Sequence, residues 1–175
     1  MFKAFVTIHW TGSGSSSWTY DQCYSSFTNS RNLIENNENN FFTTSTHVAQ
    51  TSTRGPDNPL KGFYCFIHEN SFFSSYYHYP KYWLIDLKEY KNIKSIVYIV
   101  PVRSGTYTLF SNIKFRLGNN SNYASNLLIH SFSEEALDRF PHKISLNPII
   151  NGRYLSIESS STNYLALAAI QINEQ

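Results

Sequence analysis

Large apolar residues alternate with polar or small ones along much of this chain, and the alternation has the period of strands. Phe2, Ala4, Val6, Ile8 and Trp10 occupy every even position of the first ten residues. Ile113, Phe115 and Leu117 point one way while Lys114 and Arg116 point the other, as in an antiparallel strand buried on one face. The same reading predicts strands at 62–67, 82–87, 93–102 and 153–158. A last strand over 165–172 changes parity: Leu165 and Leu167 are odd, Ile170 and Ile172 even, and a bulge at Ala168-Ala169 would reconcile them. Between these runs lie turn-forming segments: the Gly/Ser-rich 11–17, the Asn-rich 35–40, and Arg54-Gly55-Pro56-Asp57-Asn58-Pro59. The segment 70–80 is an aromatic loop. One short helix is predicted, from Ser133 to Phe140, with capping-box spacing between Ser131 and Glu134 ahead of it and Pro141 to end it.

With no internal repeat and no interdomain linker, residues 1–175 read as one all-β domain, a β-sandwich with one short helix. Composition agrees. Charged residues are 15% against roughly 25% in ordinary soluble domains, and aromatics are 17%, a mix suited to pleated surfaces and polar turns. A net charge of +2 without a basic run lacks the field that nucleic-acid binding needs, so nucleic acid is excluded as a partner. No stretch approaches the ~20 apolar residues of a membrane span. The alternating N-terminus is unlike the continuous apolar block of a signal peptide, which favours an intracellular location while leaving the compartment open. Cys23 and Cys65 are compatible with one disulfide or with two buried thiols.

Four pieces, taken in order, resemble the discoidin or coagulation-factor 5/8 type C domains (galactose-binding-like), and among them the fucose-binding fucolectins. They are Asn32-Leu33-Ile34-Glu35-Asn36-Asn37 with Phe41-Phe42-Thr43-Thr44, then Tyr82-Trp83-Leu84-Ile85-Asp86-Leu87. Next come Asn112-Ile113-Lys114-Phe115-Arg116-Leu117-Gly118-Asn119, and Gly152-Arg153-Tyr154-Leu155-Ser156-Ile157 with Leu165-Ala166-Leu167. The resemblance implies a jelly-roll β-sandwich of about eight antiparallel strands. It also implies a sugar site built from a His and two basic residues in an Arg-x-Asp-x4-Arg/Lys pattern. Arg103 stands at the first Arg and His78 close to the His, but Gly105 replaces the Asp and Phe110 the second basic residue. The family's calcium site would draw on the loop holding Asn36 and Asn39 and on a Glu near the last strand, where Ala169 stands. A calcium site wants about 6–8 oxygens, so the loss of one hard ligand argues against a cofactor.

The candidate ligand-binding residues are Tyr76, Tyr77, His78, Tyr79 and Arg103: rings to stack on a ligand, a His to hydrogen-bond it, and a guanidinium fork for hydroxyls or a carboxylate. Trp83 reads as core. The motifs of catalysis are missing: no Gly-x-Ser-x-Gly elbow, no His-Glu-x-x-His, no phosphate loop. Cys65 and His68 are three apart on a predicted strand and so face opposite sides, which argues against zinc. Asn119-Asn120-Ser121 is a glycosylation acceptor if the chain is secreted. The expected role is therefore a non-catalytic, lectin-like module for a glycan or glycoprotein. The alternative is a structural or adaptor subunit that uses the fold for protein contact in a larger assembly. Membrane attachment through Phe72 and Phe73 is the third reading, and the thin basic rim, Lys81 alone, argues against it.

Overall fold

The computed structural model describes residues 33, 41–45, 56–61, 73–75, 81–100, 108–137, 142–160 and 165–175. They form eight strands: β1 (Phe42–Ser45), β2 (Phe73–Ser74), β3 (Lys81–Ile99), β4 (Thr108–Gly118), β5 (Leu127–Leu137), β6 (His142–Ser159), β7 (Ala166–Leu167) and β8 (Ala169–Glu174). Every pairing among them is antiparallel. One sheet runs β1-β3-β6-β4-β5 with β8 also on β3, and β2 pairs with β7. The predicted strands at 2–10 and 62–67 lie outside the described residues.

The two segments that read as separate strands, 82–87 and 93–102, are one long strand, β3, folded over a corner. Between Asp86 and Lys91 it takes five steps where its partner β6 takes two, from Tyr154 to Gly152. Further on, β6 takes five steps between Ile150 and Ser145 where β3 takes two, from Ile93 to Ser95. These offset bulges turn both strands, so each serves two layers. The first half of β3 pairs with β1 and with the second half of β6, which carries β4 and, through it, β5. The second half of β3 lies between the first half of β6 and β8. At the corner Lys88 adopts φ 67°, a left-handed backbone that is costly for a residue with a Cβ. Its amide donates to Asp86 Oδ1 at 2.7 Å, and Arg153 grips the same carboxylate with Nε at 2.7 Å and Nη2 at 2.8 Å.

The layers meet on the residues whose period marks them as inward. Trp83, Ile85, Ile113, Phe115, Leu117, Leu155 and Ile157 are buried in one cluster with Ile96, Tyr98, Ile170 and Ile172 of the other layer. The rings of Tyr98 and Phe115 lie 4.9 Å apart across the interior. Trp83 is wholly buried, and its indole N–H donates to Pro56 O at 2.7 Å, so its polar atom is satisfied as burial requires.

Two expectations are corrected. The segment from Ser133 to Phe140 is not a helix where it is described: Ser133 to Leu137 continue β5, with Glu134, Glu135, Ala136 and Leu137 opposite Ser111, Phe110, Leu109 and Thr108. Its helix-favouring residues are overridden by β4, which offers a full backbone ladder. Among the described residues the only helical pieces are single 3-10 turns at Asn58–Lys61 and Tyr123–Ser125. The parity change near the end of the chain is a change of sheet, not a bulge. β7 pairs with β2 and β8 with β3, and between them the Ala168 amide donates to Ile99 O at 2.8 Å. Both faces of this stretch are buried, and Ser95, Gln171 and Asn173 satisfy one another on the face away from Ile170 and Ile172.

The loop after β4 explains why that strand ends in Gly-Asn. Asn126 is buried; its Oδ1 accepts from the Asn120 amide at 3.0 Å and its Nδ2 donates to Asn120 O at 2.8 Å. A Cβ on Gly118 would lie 2.5 Å from that Oδ1.

Three outcomes follow for stability. Gly118→Ala costs about 2 kcal/mol, because the Asn126 side chain is tied down and cannot give way. Ser156→Ala stabilises by about 1 kcal/mol, since the Ser156 hydroxyl is buried with no hydrogen-bond partner among the described residues. Asp86→Asn costs about 2 kcal/mol, the scale for hydrogen bonds to a charged group. Urea unfolding checks each. The Asp86 carboxyl is held below its ordinary range by its hydrogen bonds from Arg153, against the opposing effect of burial, with the Lys88 amide and the positive charges adding to the shift. Its contribution is therefore complete above the unfolded carboxyl value of about 3.9 and is lost as pH falls through the lower folded value. Asp86→Asn should flatten the acid limb of the stability profile and leave the neutral limb parallel to wild type.

Candidate functional site at the open end of the sandwich

Because β3 and β6 fold over the corner, both ends of each strand return to the opposite end of the domain. Lys81 of β3 pairs with Ser159 of β6, Ser159 pairs with Ile113 of β4, and Tyr98 pairs with His142. Ser75 is held at Leu165 by two hydrogen bonds: its amide donates to Leu165 O at 2.8 Å, and its Oγ accepts from the Leu165 amide at 3.0 Å. The residues flanking segments 76–80, 101–107, 138–141 and 161–164 are thus gathered at this open end. Tyr76, Tyr77, His78, Tyr79 and Arg103 themselves lie outside the described residues, as do Asn36, Asn39, Cys23, Cys65 and Phe72.

What the structure does describe there is a polar cleft of 370 Å³, lined by Lys81, Asn112, Lys114, Tyr123, Glu158 and Ser159, with Ser160 at its rim. Tyr82, Glu158 and Lys114 face one another across β3, β6 and β4. Lys114 stands directly opposite Glu158, yet the carboxylate is taken by Arg116, whose Nε donates to Glu158 Oε1 at 2.7 Å. Arg116 is fixed by a second bond, from Nη1 to Asn126 O at 3.0 Å. The turn at Tyr123–Ser125, capped by Asn122, folds back so that the Tyr123 ring lies 4.6 Å from that of Tyr82. Burial and the nearby Glu158 carboxylate push the Tyr123 phenol up, and burial pushes the Lys81 ammonium down. Asn112, at the mouth, has φ 52°, a left-handed conformation that Asn tolerates better than most residues.

Sequence reading found Lys114 and Arg116 as an outward face but missed the cleft. Its walls come from β3, β4, β6 and a folded-back turn, and nothing local in the sequence encodes that juxtaposition. A second cleft, of 660 Å³, lies beyond the other end of β4, and four amide side chains, Asn119, Asn120, Asn126 and Asn151, are among its lining. Asn119, the first residue of the Asn-Asn-Ser triplet, is exposed there. His130 and His142 sit against rings: His142 5.4 Å from Tyr98, and His130 6.0 Å from Phe115. Among the described residues no group of three or more His, Cys, Asp and Glu could hold a metal, and no helix is long and apolar enough to cross a membrane.

No protein-family model and no curated protein matches this chain. Solved structures do. A fucolectin from the serum of striped bass, Morone saxatilis, matches at a TM-score of 0.71 with 18% identity over 84% of this chain, which spans 50% of that protein's chain. A fucose-binding module of Streptococcus pneumoniae matches at 0.64 with 16% identity, covering 86% of this chain and 100% of the module. The family 32 carbohydrate-binding module of NanJ from C. perfringens, solved with galactose, matches at 0.62 with 13% identity, covering 78% of this chain and 96% of the module. With the antiparallel layers and the folded-over strands, these matches identify the architecture: the chain has the galactose-binding-like β-sandwich fold, the one that its four sequence segments resemble.

Proposed function

We propose that this chain is a non-catalytic carbohydrate-recognition module that takes a glycan, free or on a glycoprotein, at the open end of the sandwich. The observation that carries the proposal is the strand register, Lys81 to Ser159 to Ile113 and Tyr98 to His142, which gathers the flanks of 76–80 and 101–107 beside one polar cleft. Loops held on a rigid sandwich are where binding residues concentrate. In this reading Tyr76, Tyr77 and Tyr79 offer rings to the apolar face of a sugar, His78 hydrogen-bonds a hydroxyl, and Arg103 forks to a pair of oxygens. The proteins of like fold include a fucolectin, a fucose-binding module and a module solved with galactose, which supports the same ligand class. In this reading binding does not depend on calcium. Ala169, which stands where the resemblance implies a Glu ligand, is fully buried against Ile99 and Ala168.

A second reading, protein contact within an assembly, draws support from the opposite end. There the corner segments expose Tyr90 at 63% and Ile149 at 38%, and the start of β5 exposes Leu127 at 59%. Size-exclusion of the protein from its native source would return a complex under this reading, and a free monomer dismisses it.

For the lectin reading, a glycan array probed with wild type, His78→Ala and Arg103→Ala should give binding to a small set of sugars. Each variant should lose that binding by about tenfold or more, and chelation with EDTA should leave it unchanged. Absence of binding to any sugar removes the proposal.

A further inference from the structure

One cation of the open-end cleft, Lys114, has no ion-pair partner among the described residues. Beside it lie Arg116 and one carboxylate, Glu158. Arg116 and Glu158 neutralise each other at 2.7 Å, with both side chains about four-fifths buried. Lys114 therefore faces a carboxylate already engaged, and no ion pair joins the two. Lys114 is partly exposed and lines the 370 Å³ cleft together with Asn112 and Tyr123. A cation with no ion-pair partner among the described residues, beside donors and an aromatic ring, is suited to a ligand that brings its own anion.

We propose that this cleft is a subsite for an anionic substituent on a bound saccharide, a carboxylate or a sulfate ester, with Lys114 as the residue that selects for the charge. The inference rests on the lectin reading for the kind of ligand, but it uses none of the loop residues assigned to the neutral sugar. Lys114 is a compact point charge and not a planar fork, so it favours negative charge without choosing between a planar and a tetrahedral anion. Tyr123 supplies an apolar wall for the ring that bears the anion, and Asn112 supplies amide donors. Arg116 is a positioning residue: by occupying Glu158 it keeps that carboxylate from neutralising Lys114.

The test is isothermal titration with three oligosaccharides of one backbone: a uronate, its carboxyl-reduced neutral counterpart, and a sulfated derivative. The proteins are wild type, Lys114→Gln, Lys114→Glu and His78→Ala, each checked for an unchanged melting curve. Wild type should bind at least one charged form about fivefold more tightly than the neutral one, the scale of a single solvent-screened ion pair. That preference should shrink with added salt, vanish in Lys114→Gln and reverse in Lys114→Glu. Preference for the uronate alone or the sulfate alone supports the subsite and names the source of the anion. Equal affinity for charged and neutral forms in wild type, or a preference that survives in Lys114→Gln, overturns it. The two proposals fail separately. Neutral-sugar binding that His78→Ala abolishes, without any charge preference, leaves the lectin reading standing alone. A charge preference retained in His78→Ala supports the subsite and counts against the loop assignment. No binding of any of the three sugars overturns both.

Discussion

The fork between Asp86 and Arg153 sits where two long strands leave one layer for the other, and the rest of the architecture hangs on that turn. Asp86 accepts from Arg153 twice and from the Lys88 amide once, so three donors converge on one carboxylate at 2.7 to 2.8 Å. The Lys88 bond offsets a backbone conformation that a lysine would otherwise avoid. The clasp ties the corner, where the excess residues of β3 leave the ladder, to β6. With it, β3 and β6 each serve both layers, and Trp83 comes to share a core with Tyr98.

Folding two strands over one corner has a consequence for binding. It sends all four of their ends to the far side of the domain, among the described residues that flank 76–80 and 101–107 in sequence. The two ends differ in character. The open end holds a cleft lined by Lys81, Lys114 and Glu158, and the corner end holds amides and exposed apolar side chains. Recognition of a polar, hydroxylated ligand suits the first. Contact with another polypeptide suits the second, so one molecule has room for both.

Much of this was legible from residues alone, for a physical reason in each case. Ile113, Phe115 and Leu117 alternate with Lys114 and Arg116 because β4 has one face in the core and one outside. Trp83 and Asp86 fall on opposite faces of one strand, and the structure buries the first in the core and ties the second to Arg153. The failures are as instructive. Ser133 to Leu137 look helical locally, but pairing with Thr108 to Ser111 decides their state, and that partner is some 25 residues away in sequence. The shift from Leu167 to Ile170 looked like a bulge because a chain buried on both faces gives no alternation to follow. The cleft around Lys114 was invisible because which carboxylate Arg116 takes is a question of register across strands.

The most direct measurement is an amide NMR titration with a sugar that binds. The account places the perturbed amides at the open end, at Lys81, Asn112, Lys114 and Ser159, with the corner residues Lys88, Tyr90 and Gly152 unmoved. Shifts confined to the corner, or to the amide-rich loop from Asn119 to Asn126, would contradict it.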